Sequence, residues 1–144
     1  MTEQKILVPI DFSGINKPMV RLADAWAKRT GAALYFLHVV PDLTDRFVEP
    51  GVQNVFGTND EEIVEHFRKQ MQAFLSEQDV SSAHEILVRQ GKPYAGIMDV
   101  QKEQGADLII MAAHDHTRAE RMFLGSNTDY VLHHVRCSVY VFRA

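Results

Sequence analysis

The sequence predicts a doubly wound α/β domain, a five-stranded parallel sheet with helices on both faces. Three observations carry that prediction. Short apolar runs without internal alternation recur five times, as expected of strands covered on both faces. Stretches with three- and four-residue apolar spacing separate them, which is helical periodicity. Glycine or proline punctuates most of the boundaries. Strand and helix in strict alternation require a parallel sheet with right-handed crossovers.

Lys5-Ile6-Leu7-Val8-Pro9-Ile10 is the first strand, and Asp11-Phe12-Ser13-Gly14 follows as turn residues. Asn16 is positioned to cap the next helix, with Pro18 in its first turn, where a missing N–H is harmless. That helix, about 17–30, places Val20, Ala23, Trp26 and Ala27 on one stripe and ends at Gly31. The second strand is AALYFLHVV, residues 32–40, stopped by Pro41. Residues 41–58 have no sustained period and read as an excursion over the surface, a lid-like segment whose Phe47 and Phe56 pack back onto the domain.

Helical spacing returns over 59–78, with Ile63, Phe67, Met71, Phe74 and Leu75 inward and Asp60, Glu61 and Glu62 in the first turn, where the helix dipole favours acids. Residues 83–89 make the third strand, Gly91-Lys92-Pro93 a turn, and 94–103 a helix with Ile97, Met98 and Val100 inward, ended by Gly105. Residues 107–112 are the fourth strand. Ser126 opens the last helix, with Asp129 three residues on as a variant capping box. Residues 137–142 are the fifth strand.

The 144 residues, 46% hydrophobic, read as one domain, 1–144, with no internal repeat. A net charge of -4 argues against a nucleic-acid partner. No apolar run approaches the ~20 residues that cross a bilayer, so no membrane partner is expected. The start MTEQKILVPIDFS lacks the basic and apolar regions of a signal peptide, and Cys137 stands alone. A cytoplasmic location is the simplest expectation.

Ligands of doubly wound sheets bind beyond the carboxyl ends of strands, where strand order reverses. The candidate positions are Asp11, Val39-Val40 and the loop 112–126. GxxxxGK[ST], GxGxxG and GxSxG are all absent, and paired acids after the first strand are missing, so no catalytic nucleophile or phospho-acceptor stands out. Asp11 at a strand end suits a ribose or a metal, and equally a turn that accepts backbone N–H groups. Gly125-Ser126 suits a phosphate cradle, and equally a capped helix. His114 and His116 flank Asp115 in a pattern that suits a metal, but without a distant third ligand a solvated loop is the better reading, and no metal is expected. Cys137 reads as a small core residue.

The segments KILVPIDFS, LHVV, QGKP and DLIIMAAH…FLGSNTDYVLHHVRCSVYVFR, in this order over essentially the whole chain, resemble the universal stress protein family. The resemblance implies a Rossmann-like sheet of order 3-2-1-4-5, of the adenine nucleotide alpha hydrolase type, which sets Asp11 against the 112–126 loop. It implies homodimers built through the last strand, here Val139, Tyr140, Val141 and Phe142, and small-molecule ligands: ATP or AMP, with Mg. Nucleotide contacts carried over by the resemblance fall on Pro9, Ile10, Asp11, Val39, Ala112, His114, Asp115, Gly125, Ser126 and Asn127.

Many members bind ATP through G-2x-G-9x-G-[ST]. Here the first glycine position is Ala112, the second is Asp115, and only Gly125-Ser126 keeps the pattern. Alanine adds one methyl. Aspartate adds a carboxylate where phosphate oxygens should pass; two like charges ~4 Å apart at an effective dielectric near 20 cost on the order of 4 kcal/mol. His114, His116, Arg118 and Arg121 offset part of this. The expected protein is a dimeric regulatory or binding module of the stress response with weakened or absent ATP binding, not an enzyme beyond at most a slow ATPase. The alternative is a genuine ATP or AMP binder with slow or no hydrolysis.

Overall fold

The computed structural model describes residues 4–41, 60–113 and 125–143. In chain order the elements are β1 (Lys5–Pro9), α1 (Asn16–Thr30), β2 (Ala33–Val40), α2 (Asp60–Glu77), β3 (His84–Gln90), α3 (Pro93–Gln104), β4 (Leu108–Ala112), α4 (Ser126–His134) and β5 (Ser138–Phe142). The strands form one parallel sheet in the order β3-β2-β1-β4-β5. The expected excursion at 41–58 falls, after Pro41, outside the described residues.

Each strand sends alternate side chains to two separate cores, which is why the runs carry no polar alternation. Ile6, Val8, Leu34, Phe36, Leu108 and Ile110 meet Met19, Val20 and Ala23 of α1 and Met71, Phe74 and Leu75 of α2 on one face. Leu7, Leu37, Val39, Ile109 and Met111 meet Ile97 and Val100 of α3 and Val131 of α4 on the other. The start of β4 is fastened to β1 at Lys5, whose N–H donates to Asp107 Oδ2 at 2.9 Å while the Asp107 N–H donates to the Lys5 carbonyl at 2.8 Å. Among the described residues no helix is long and apolar enough to cross a membrane.

Gly31 and Gly105 end their helices at φ 77° and 67°, left-handed positions that favour glycine. Two expected caps fail. Ile15, not Asn16, is the N-cap of α1, in helical conformation, and Asn16 is the first helical residue with its side chain turned back to the preceding loop. Gly125, not Ser126, is the N-cap of α4, and among the described residues no side chain caps that helix, so the capping box of Ser126 with Asp129 does not form. Helix α3 starts at Pro93, one residue before its expected start. Trp26, Phe67 and Met98, expected inward, are only half-buried because each lies at the margin of its helix's apolar stripe.

Asp24 on α1 ties that helix to the connection before β3. Its Oδ1 accepts the N–H groups of Ser81 and Ser82 at 3.2 and 3.0 Å, and Lys28 Nζ lies 2.9 Å from Oδ2. Burial works to raise its pKa, but bonds from Ser82, Lys28 and Ser81 overcome that and hold it at about 2.

Candidate functional site

β1 lies between β2 and β4, and the chain leaves β1 toward one face and β4 toward the other. The two departures open a cleft at the strands' carboxyl ends. A cavity of about 270 Å³ occupies it. Leu37, Val39, Ile97 and Met111 give it an apolar wall; Asp11, Ser126 and Asn127 give it polar ones. Pro9, Ile10, Asp11, Val39, Ala112, Gly125, Ser126 and Asn127, all singled out from the sequence, line this one cavity. His114 and Asp115, with His116, Arg118 and Arg121, lie outside the described residues.

The loop after β1 is held from three sides. The Ile10 N–H donates to the Leu37 carbonyl at 2.7 Å. The N–H groups of Asp11 and Phe12 both donate to Asn16 Oδ1, at 2.8 and 3.0 Å. Ser13 N–H donates to Asp11 Oδ1 at 2.9 Å, so Asp11 is a turn residue and a wall of the cavity at once. Phe12 sits at φ 67°, a conformation that costs a bulky L-residue roughly 1–2 kcal/mol. Its ring packs on His38 (centroids 4.7 Å apart) and edge-on to Phe74 (5.7 Å), contacts that offset the strain.

His38 is buried on β2, between Phe12 and the half-buried Phe67. Burial pushes its pKa below the usual histidine value; the bond to the Ile10 carbonyl and the nearby Asp11 carboxylate oppose this only in part. The ring is therefore neutral at pH 7, and Nδ1–H donates to the Ile10 carbonyl at 2.7 Å.

The opposite wall is the start of α4. Gly125 has φ 91° and ψ 143°, and among the described residues no side chain caps the first helical N–H groups, the kind of helix end that accepts an anion. Asn127 Oδ1 accepts the Tyr94 N–H at 3.1 Å, which joins the starts of α3 and α4. Thr128 Oγ1 donates to the Ala112 carbonyl at 3.0 Å. Gly96 lets α3 press against β2: a Cβ there would stand 2.7 Å from Val39 Cγ2.

The lining residues missed from the sequence are Asn16, His38, Pro93 and Thr128 and the apolar Leu37, Ile97 and Met111. Each sits inside a regular element, where nothing in its spacing distinguishes a cavity wall from a core position. Cys137 precedes β5 and packs half-buried beside the second core; burial raises its pKa, so its thiol is a poor nucleophile. His133 and His134 turn back on their own helix, to the carbonyls of Asp129 and Tyr130. Among the described residues no group of three metal-ligating side chains converges.

β5 pairs with β4 alone among the described strands, and Tyr140 is 40% exposed, edge-on to Trp26 at 5.7 Å.

Comparison with known proteins gives a consistent picture. Residues 3–143 match the universal stress protein family. Universal stress protein A homolog 2 of Coxiella burnetii is 30% identical over 141 residues, covering 97% of this chain and 94% of that one. The structure of universal stress protein UspA from Lactobacillus plantarum superposes with a TM-score of 0.73 at 28% identity, covering 99% of each chain. Two more distant structures share the fold: a universal stress protein in complex with cAMP (TM-score 0.66, 17% identity, 99% and 98% covered) and one from Archaeoglobus fulgidus in complex with dAMP (0.61, 21%, 98% of each).

Proposed function

This chain belongs to the universal stress protein family, and we propose that it is a cytoplasmic homodimeric binding module of the stress response whose cleft takes an adenine nucleotide, with its grip on a triphosphate weakened. One observation carries the nucleotide part: an acceptor, Asp11, and a helix end at Gly125-Ser126 line one cavity together with an apolar patch of Leu37, Val39, Ile97 and Met111. An apolar slot for a base, a carboxylate for a sugar hydroxyl and free N–H groups for a phosphate are the three parts of a nucleotide site.

The ligands in the two complexes, cAMP and dAMP, each carry one phosphate. That agrees with a site in which the first phosphate meets the α4 end and further phosphates meet residues 112–115. A carboxylate at the second glycine position of the family's pattern, held here by Asp115, would repel them. The same residue types therefore support monophosphate binding and oppose ATP.

The dimer part rests on the open edge of β5, since unpaired strand edges invite association. Titration calorimetry with AMP and with Mg-ATP tests the nucleotide part. AMP should bind, more tightly than Mg-ATP, and Asp11→Ala should weaken AMP by tenfold or more. No heat with either nucleotide would contradict it and favour a module whose polar groups serve only its own packing, as the spent oxygens of Asn127 and Ala112 do.

A further inference from the structure

Gly96 stands where the second turn of α3 begins, a place where alanine would be the better helix former. A glycine kept there needs a reason outside the helix. The reason is Val39. A Cβ on residue 96 would stand 2.7 Å from Val39 Cγ2 and 3.3 Å from Cγ1, against about 3.5–4.0 Å for an ordinary carbon–carbon contact. Val39 belongs at the same time to the apolar wall of the cavity.

Both backbones at this contact are held. Val39 is paired in register with Arg89 of β3. The start of α3 is tied to α4 by the Tyr94 N–H on Asn127 Oδ1 at 3.1 Å, and Ile97 and Val100 are buried in the second core. A side chain at 96 therefore displaces the valine, and a β-branched side chain has few rotamers to choose from. The open space beside Val39 is the cavity. At about 270 Å³ that cavity is already at the small end of ligand pockets, which run upward from about 300 Å³. A methyl group pushed into it is felt first by the larger of two ligands.

We propose that Gly96 is a specificity-determining residue of this cleft. Its lack of a Cβ lets Val39 withdraw against α3, and that withdrawal makes the room for a base of two fused rings. Gly96 acts through Val39, as a positioning residue. The proposal rests on the nucleotide reading above and deepens it, naming what sets the size of base the cleft admits.

Calorimetry on the full chain, with AMP directly and with CMP by displacement of AMP, tests this in Gly96→Ala. CMP carries the same sugar and phosphate on a base of one ring. The proposal expects AMP to lose about tenfold or more in affinity and CMP about threefold or less, as one methyl in an apolar pocket does. The double variant Val39→Ala, Gly96→Ala shortens the side chain that collides. It should bind AMP about fivefold or more tightly than Gly96→Ala alone. Unchanged AMP affinity in Gly96→Ala overturns the proposal. An equal loss for both ligands does so too, because that is general damage to α3, and so does a double variant that recovers nothing. A cleft that selects by size admits the smaller base, so failure of CMP to displace AMP from the wild-type chain also overturns it.

If Gly96→Ala does not fold, Val39→Ile narrows the cavity from the strand side and leaves Gly96 in place. The same selective loss of AMP supports the proposal, and unchanged selectivity overturns it. Absence of AMP binding to the wild-type chain overturns the nucleotide reading and this proposal together; every other contrary result overturns the proposal alone.

Discussion

Two buried titratable side chains make this protein sensitive to acid in different ranges. Asp24 has its folded pKa lowered from 3.8 to about 2, so its contribution is complete above about 3.8 and is lost as pH falls toward 2. Asp24→Ala should cost about 2 kcal/mol at pH 7, the usual size for hydrogen bonds to a buried charge, and far less near pH 2. Urea unfolding of both proteins at the two pH values checks this. His38 acts higher. Its folded pKa lies below 6.5, so the unfolded chain takes up a proton first, and stability falls as pH drops below about 6.5. The stability difference between wild type and His38→Gln should shrink on acidification from pH 7.5 to 5.5. A difference that stays flat would mean His38 is not held neutral.

Among the elements, strands were legible and helix starts were not. A buried parallel strand announces itself by an unbroken apolar run, as ILV at 6–8 and LIIMA at 108–112 do, because no other short element is covered on both faces. A helix start depends on one backbone angle. Asn16 and Ser126 are good capping residues by type, yet the chain turns one residue earlier in both places and carries each into the helix. The error is informative at Ser126. The capped-helix alternative for Gly125-Ser126 required a side-chain bond that no described residue makes, and both residues line the cavity. At the sheet edge, β5 exposes Tyr140 and pairs on one side only among the described strands. Tyr140→Lys gives up the edge-on contact with Trp26, so the melting temperature should fall by a few degrees, and the proposed homodimer should weaken by about tenfold or more. Sedimentation at several concentrations reads this; a dimer of unaltered strength would place the interface elsewhere.

At the scale of the molecule, the order of the strands makes the site. With β1 between β2 and β4, Asp11 and Gly125, 114 residues apart in sequence, meet across one cavity. The alternating pattern implies such a cleft without saying which loops face each other; strand order supplies that. The walls at Asn16, His38, Pro93 and Thr128 were illegible because residues inside helices and strands show their role only once packed. His38 in particular reads as one polar residue in a strand, and its neutral state follows from Phe12, Phe67 and Ile10 around it.

The central claim is that the architecture of an adenine nucleotide site is intact while residues 112 and 115 weaken its hold on a triphosphate. The melting temperature in saturating Mg-ATP, measured for the wild-type chain and for the Ala112→Gly, Asp115→Gly double variant, tests it most directly. A ligand present at 100 times its Kd adds about 2.7 kcal/mol, which for a chain of this size is roughly 5–10 °C. The account predicts a rise of that order for the double variant and a rise of about 2 °C or less for the wild type. Equal rises in the two proteins would contradict it.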